Sequence, residues 1–364
     1  MTMAQPEILI VGAGPSGLTA AIELARRGFS PRIIDRDAGP TPLSKAVGIA
    51  PRSLQLLEPS GVTEKLLERG IRMRAVEAHM DGQVLATIDL GNIPHRYDFL
   101  LALPQHETET VMAEALAGYG IDVEWRTELV ALTPVPEGWH AIIRGPEEGR
   151  ALNYSHVLGA DGIHSLVREN AGIAFDGYVH RRKWSIADAV IPDWPYRRNA
   201  GHAFLSRSGD IGFVIPIGED SFRAVSNTPD ALAHVPGAYT VSEVLRTDVF
   251  DLPVRQAARY RRDGIFLCGD AAHVHSPIGA RGMNLGIEDA AAFARRLAEG
   301  TLDGYEGERK PVGERWIDLS ERMLRAVESD SALFIPVRNL LIRAVGALPP
   351  LQKLMLTRLA GIRE

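Results

Sequence analysis

The stretch Glu7–Asp35, EILIVGAGPSGLTAAIELARRGFSPRIID, decides how the chain folds. Glu7–Val11 is a short apolar strand that runs directly into Gly12-Ala13-Gly14-Pro15-Ser16-Gly17. A helix follows with Leu18, Ala21, Ile22 and Ala25 on one face, and Gly28 supplies its stop. Pro31–Ile34 is a second strand and ends in Asp35, 18 residues after the last glycine of the motif. A bare G-x-G-x-x-G would be weak; with strand, helix, strand and terminal acid in place it is a dinucleotide fingerprint. The glycines permit a tight turn and close approach of a pyrophosphate, whose charge suits the open amides of the helix that begins at Pro15-Ser16. The carboxylate of Asp35, with Arg36 beside it, can accept hydrogen bonds from a ribose. The competing reading is a glycine-rich turn with a solvated Asp35.

A second corner lies at Ile265–Asp289, IFLCGDAAHVHSPIGARGMNLGIED. Ile265–Cys268 reads as a buried strand stopped at Gly269 and followed by the acid Asp270. A Pro/Gly-rich loop leads to a helix opening near Gly282-Met283-Asn284. Gly279 and Gly282 let a flat ligand approach the backbone, because no Cβ stands in the way. The stretch reads as the cradle for the redox end of a large cofactor, against an ordinary strand–loop–helix turn.

The chain has 364 residues, enough for a large core and two domains. Apolar content of 45% and charged content of 24% are those of a soluble globular protein. A net charge of −6 argues against nucleic-acid partners. The single cysteine, Cys268, excludes an internal disulfide and a cysteine-cluster metal site, and fits a reducing, cytoplasmic setting. Ile8–Val11 is too short for the core of a secretory signal, and no apolar run is long enough to span a membrane.

Between the two corners, Leu43–Ile49 leads into a helix over Pro51–Leu57 that closes at Gly61. Lys45 either approaches cofactor phosphates or is solvated. Met73–Asp89 predicts two strands around a turn at Asp81-Gly82. Leu100–Leu103 enters Pro104-Gln105 and a helix over His106–Leu116; Gln105 is either a cofactor contact or a simple cap. Asp122–Trp125, Leu129–Thr133 and Trp139–Ile143 predict a small meander. Val157–Ala160 is a further strand stopped by Asp161-Gly162, with a helix over Ile163–Asn170; Asp161 and Arg168 can clamp each other or a phosphate. From Gly172 to Arg259 short alternating strands dominate: Trp184–Ile191, His202–Ser206, Ile211–Ile217 and Phe222–Ser226. This predicts a sheet domain inserted before the last cofactor strand. Trp316–Glu364 is mostly helical, and Leu340, Leu341, Ala344, Val345 and Leu348 are expected to dock one helix face onto the body.

Three separated pieces, Gly12–Gly17 with Asp35, Asp161-Gly162 with Arg168, and Gly269-Asp270 with Pro277–Asn284, together resemble the FAD-dependent aromatic hydroxylases of the para-hydroxybenzoate hydroxylase superfamily (group A flavoprotein monooxygenases). Leu103-Pro104-Gln105 with Glu107-Thr108-Glu109 is similar to their phenol and polyketide hydroxylase branch. The resemblance covers essentially the whole chain, without the thioredoxin-like C-terminal domain of longer members. It implies an α/β fold: a Rossmann-like FAD-binding domain over 1–72, 100–171 and 260–325, a mainly β substrate domain over 73–99 and 172–259, and a helical tail over 326–364.

The resemblance also implies roles. Gly12, Gly14, Pro15, Ser16 and Gly17 would hold the FAD pyrophosphate, Asp35 and Arg36 the adenosine end, and Lys45 the place of a common arginine near the phosphates. Gln105 would reach the ribityl side. Asp161 would serve FAD and the pyridine nucleotide, and Gly269-Asp270 the ribityl chain. Pro277 would lie beside the isoalloxazine, with the amides of Gly282, Met283 and Asn284 at its N1/O2 edge. The usual Gly-Gly-Gln-Gly loop reads Gly279-Ala280-Arg281-Gly282 here, so Arg281 would add a cation near the flavin. The absence of a Trp-x-Trp-x-Ile-Pro segment counts against a flavin halogenase.

The activity implied is hydroxylation or epoxidation of a small aromatic or polyketide-like molecule by O2 and NAD(P)H, through a flavin C4a-hydroperoxide kept from water. A flavin dehydrogenase or reductase, or a protein that only binds flavin and ligand, are the alternatives. Pro277, Arg281 and His202 are the expected catalytic-site residues; His202, Tyr239 and His275 are base candidates by type only. The pocket is expected between the sheet of Trp184–Ser226 and the Pro277 loop, lined by His202, Phe204, Phe213, Ile215 and Val225. No metal is expected, since His273 and His275 lack acidic partners in sequence. A monomer or homodimer is expected.

Overall fold

The computed structural model describes residues 7–41, 46–146 and 150–362. At its centre is a five-stranded sheet in the order Arg261–Arg262, Ile265–Leu267, His156–Gly159, Ile8–Val11, Arg32–Ile34. The last four strands are parallel, with Ile8 opposite His156, Val157 opposite Ile265 and Leu9 opposite Arg32. Ile8–Val11 is buried along its whole length, which is why it reads as a continuous apolar run rather than an alternation.

The first helix spans Pro15–Ala25, with proline in its first turn where no backbone donor is missed. It packs between the helices Gly282–Ala298 and Gln105–Ala117. A three-stranded antiparallel sheet, Glu128–Val135, Gly138–Arg144 and Arg150–Tyr154, adds Leu129, Leu132, Trp139, Ala141 and Ile143 to the same core. The third strand of this meander is therefore Arg150–Tyr154 and not Asp122–Trp125. Glu124 instead makes one parallel bridge to Ile34, at the edge of the central sheet. The helix expected from Ile163 starts later, at Leu166, because the Ser165 hydroxyl accepts the Arg168 amide and caps it there.

The second body is a seven-stranded sheet in the order Glu243–Phe250, Trp184–Val190, Ser221–Ser226, Ile211–Pro216, Ala200–Leu205, Ala75–Met80, Gln83–Asp89. The hairpin Ala75–Asp89 turns at Asp81 and Gly82, both with positive φ, as a two-residue primed turn requires. It joins the inserted strands through one parallel pairing, Ala75–Met80 beside Ala200–Leu205. Side chains alternate between two faces. One carries Phe204, Val214, Phe222, Ala187 and Ala189 under Trp194 and Val235. The other carries Trp184, Leu205, Ile211, Phe213 and Val225 against Ile278.

Two features were not foreseen in the sequence. Phe175–Val179, Pro253–Ala257 and His273–Val274 form a separate three-stranded sheet beside the cradle loop. In the tail, the expected docking face of helix Phe334–Ala347 points outward: Leu340 and Leu341 are 68% and 59% exposed. The face turned to the body carries buried Ile335 and Arg338 with half-buried Ile342 and Gly346. Arg338 donates to the carbonyl of Val327, and a Cβ on Gly346 would come within 2.7 Å of Ala86 Cβ. Hydrophobicity alone misses a face built on an arginine and a glycine.

Candidate active site

Because the four central strands are parallel, their C-terminal ends share one edge. Asp35 follows Ile34, Gly12 follows Val11, Ala160-Asp161 follows Gly159, and Gly269-Asp270 follows Leu267. Adjacent strands lie about 4.8 Å apart, so the strands ending at Asp35 and Asp270 are about 14 Å apart along one continuous row.

The glycines of the first corner divide the work. Gly12 has φ +100°, and a Cβ there would meet the Ala160 carbonyl oxygen at 2.3 Å, so this turn admits only glycine. A Cβ on Gly17 would lie 1.8 Å from the Gly12 carbonyl oxygen, so helix and strand could not pack. Gly14 has nothing nearer than Glu109 Oε1 at 4.0 Å, which leaves its approach open. The helix beginning at Pro15 has no side-chain cap, so its first amides are available to an anion. Asp35 is pre-oriented: Oδ2 accepts the Ala13 amide at 2.6 Å and Oδ1 the Asp37 amide at 2.8 Å. A carboxylate has about four acceptor positions, so two are left for ribose hydroxyls. Arg36 is exposed beside it. Lys45 lies outside the described residues.

The second corner is tied to the first. A Cβ on Gly286 would stand 2.2 Å from Ser16 Oγ and 3.1 Å from Gly269 Cα, so the two cofactor-facing helices and the last strand end meet there. Asp289 reaches back one turn to accept the Gly269 amide at 3.1 Å. It also accepts from His273 Nε2 at 2.6 Å and Arg309 Nε at 2.7 Å. Burial alone would raise its pKa; His273 and Arg309 outweigh that and hold it low. His273 therefore does have an acidic partner, and an arginine occupies the remaining side of that acid.

Asp270 and Pro277 are exposed at the mouth of this corner. The helix Gly282–Ala298 has no side-chain cap, and a Cβ on Gly282 would meet nothing within 4 Å. No side chain thus caps its first amides, those of Gly282, Met283 and Asn284. The Asn284 side chain is a staple: Oδ1 accepts from Ala50 N and Ser53 Oγ, both at 2.8 Å, and Nδ2 donates to Gly48 and Ala280 carbonyls.

Asp161 Oδ2 accepts the Val167 amide at 3.1 Å, and its buried Oδ1 has no partner. Burial pushes this carboxyl above its ordinary range. Arg168 does not clamp it. The guanidinium donates to the carbonyls of Ala271 and Ile163 and so ties the strand end at Asp161 to the one at Asp270.

Gln105 is drawn to a neighbour: its amide donates to Glu109 Oε1 at 2.7 Å, and Thr41 N donates to Oε2 at 3.1 Å. Burial raises the Glu109 carboxyl to about 7, helped by the charges of Asp35 and Asp37. Nothing in the sequence around Glu109 marks it for this role.

Two expected catalytic residues are elsewhere. Arg281 is buried, pairs with Glu288 Oε1 at 2.7 Å and lies over the Trp316 ring at 4.8 Å. Its charge is engaged between helices rather than offered to a ring at Gly282. His202 lies on the opposite face of the seven-stranded sheet from Ile278, with Phe204. Strand alternation separates these two from Phe213, Ile215 and Val225, so the five nominated residues do not share one surface. Tyr239 covers that same far face. His275 lies in the loop, its Nδ1–H donates to the Ser276 carbonyl at 2.8 Å, and burial depresses its pKa to about 4.

The gap between the sheet and Ile278 is filled by apolar packing. A cavity of about 710 Å³ opens instead beside the Leu103-Pro104 corner. Leu103, Ile217 and Leu245 give it apolar walls, and Asp188, Arg223 and Arg246 its polar ones. Asp188 is the one charged residue of the strand Trp184–Val190, a mark visible in the sequence although the side it faces is not.

The residues present fit FAD. The row has open backbone at Gly14 and Gly282, an oriented acid at one end, an exposed acid at the other, and an orphaned buried carboxylate oxygen between them.

Residues 5–229 and 226–320 match the family described as FAD binding domain. The 6-methylpretetramide 4-monooxygenase of Streptomyces rimosus is 35% identical over 336 residues, 85% of this chain and 60% of that protein. The pentachlorophenol 4-monooxygenase of Sphingobium chlorophenolicum is 32% identical over 348 residues, 88% of this chain and 64% of that protein. The chain thus spans less than two thirds of the length of these relatives. The crystal structure of p-nitrophenol 4-monooxygenase from Pseudomonas putida superposes with a TM-score of 0.91 at 21% identity, covering 99% of both chains. No helix among the described residues is long and apolar enough to cross a membrane.

Proposed function

The chain belongs to the FAD-binding domain family that includes these flavin-dependent aromatic hydroxylases, and from that premise we propose that it is an FAD-dependent monooxygenase acting on a small aromatic or polyketide-like molecule with NAD(P)H and O2. The observation that carries the reading is the single row of parallel strand ends running from Asp35 to Asp270.

Bound FAD would accept hydride equivalents and activate dioxygen. The chain's own residues do the rest. Asp35 would take the adenosine ribose, and the amides after Gly14 the pyrophosphate. Asp161 and Asp270 would take hydroxyls along the linking chain. The uncapped helix start at Gly282–Asn284 would place a positive dipole to stabilise negative charge on a reduced flavin held there. Asn284 keeps that helix start in register with Gly48–Ser53. The cavity beside Leu103 would offer an aromatic substrate apolar walls with fixed charges beside them. The cofactor half is discontinuous, formed by 1–72, 100–171 and 260–325, in a cytoplasmic protein.

The test is FAD reconstitution followed by NAD(P)H oxidation with a panel of phenols and polyketide aromatics under ¹⁸O₂. One labelled oxygen in the product, with substrate-stimulated NAD(P)H consumption, is expected. Oxidised product without label would make the protein a dehydrogenase, and failure to retain FAD would end the reading.

A further inference from the structure

We propose that Glu77, His79 and His202 form a binding site for one divalent transition-metal ion of the zinc class. The site lies on the far face of the seven-stranded sheet, away from the cofactor row. His79 Nε2 and His202 Nδ1 are 3.1 Å apart. Glu77 Oε2 is 3.7 Å from the first and 3.6 Å from the second. The point equidistant from these three atoms is about 2.0 Å from each, the bond length zinc makes to imidazole nitrogen and carboxylate oxygen.

A hydrogen bond between the two imidazoles accounts for the 3.1 Å contact alone. It leaves the carboxylate oxygen too far from either nitrogen for a hydrogen bond. Spacings of 3.1 to 3.7 Å around a common centre are those of ligand atoms sharing an ion.

The surroundings support that chemistry. His202 Nε2 donates to the Arg197 carbonyl at 2.8 Å, so its proton sits there and Nδ1 presents a lone pair. A backbone carbonyl holding the outer nitrogen is the usual way a ligating ring is fixed in tautomer and orientation. His79 stacks on Phe204 and meets Tyr196 edge-on, with centroids at 4.7 and 4.9 Å, which fixes its ring plane. Both histidines are 2% exposed, while Glu77 is only partly buried and gives an ion a way in.

Local sequence explains the convergence. Glu77 and His79 are two apart on one strand and so share a face. His202 is directly opposite Glu77 across the parallel pairing of Ala75–Met80 with Ala200–Leu205. That pairing is the seam at which the early hairpin joins the inserted strands. An ion bound there is a staple across it, distinct from the redox chemistry.

The test uses tag-free, FAD-loaded protein stripped of metal by a chelator, then titrated with Zn²⁺ by calorimetry and with Co²⁺ by visible absorption. One equivalent should bind at micromolar or lower Kd, with Co²⁺ ligand-field bands of a low-symmetry nitrogen–oxygen site and a raised Tm. Glu77→Gln and His79→Gln should each weaken binding by at least about a hundredfold, beyond what second-shell changes do. Retained FAD and an unchanged metal-free melt would confirm that each variant is folded. No saturable one-equivalent binding, or binding that survives both substitutions, overturns the proposal.

Discussion

Arg223 and Asp188 face each other across adjacent strands as a two-point ion pair, Nε to Oδ1 and Nη2 to Oδ2, both at 2.7 Å. The pair stands on the cavity side of the sheet, and the Arg223 side chain is 2% exposed. Each charge offsets the burial of the other, so removing Asp188 takes from the buried guanidinium its two-point carboxylate partner. Asp188→Ala should therefore destabilise the protein by about 3–5 kcal/mol, whereas the double change Asp188→Leu with Arg223→Met should come much nearer to the parent. Urea unfolding of the three proteins checks this. Equal losses in single and double variants would show that the charges matter separately and not as a pair.

Gly286 is the point at which two helices and a strand end touch. An added Cβ would crowd Ser16 Oγ, which can rotate, and Gly269 Cα, which cannot. Gly286→Ala should cost about 1–3 kcal/mol through overpacking. It should also weaken FAD binding, because both helix starts and the Gly269 corner shift together. Adding Ser16→Ala removes the oxygen and should restore part of the loss. Thermal melts and flavin-fluorescence titrations of single and double variants would show it; an undisturbed Gly286→Ala protein would refute the close crossing.

The first corner was legible in the sequence because every constraint on it is local. A tight turn, a helix start and a strand-terminal acid leave marks within Glu7–Asp35. The Asp81-Gly82 hairpin was legible for the same reason. What was hidden depends on contacts distant in sequence. Arg281 looked like a free loop cation until Glu288 and Trp316 came alongside it. His202 and Phe213 looked like neighbours in one alternating region, but their strand positions point them to opposite faces. Glu109 carried no role in the sequence, yet the fold buries it near two other carboxylates. The strand Trp184–Val190 is buried almost throughout, so its apolar run gave no sign of which side carried Asp188.

Ala280 holds a left-handed backbone, φ +52°, in the loop between Pro277 and the helix. A residue with a Cβ pays roughly 1–2 kcal/mol for that conformation, part of which is recovered from its smaller unfolded-state entropy relative to glycine. Ala280→Gly should leave the fold unchanged and raise stability by up to about 1 kcal/mol. Paired denaturation curves decide it. A loss of stability would mean that the contact of the Ala280 Cβ with Gly48, 3.5 Å from the Cβ position there, outweighs the strain.

Glu109 links the cofactor row to pH. Its carboxyl is raised from an ordinary 4.5 to about 7, mainly by burial, and Asp35 and Asp37 add to the effect while Gln105 and Thr41 oppose it. A raised folded-state value means that the protonated form favours the fold. The stabilisation is complete below about pH 4.5 and lost as pH rises through about 7, with an upper size on the order of 3 kcal/mol. Glu109 Oε1 lies 4.0 Å from where a Gly14 side chain would begin, so a diphosphate arriving at that loop would further disfavour the ionised acid. FAD binding should therefore take up a proton and weaken above pH 7, by at most about tenfold for each pH unit. Glu109→Gln should flatten both dependences and be the more stable protein at pH 8. Fluorescence titrations of FAD and denaturation curves between pH 5 and pH 9 measure both. Parallel pH profiles for the parent and Glu109→Gln would show that this carboxyl does not titrate in the range and that some other group sets the response.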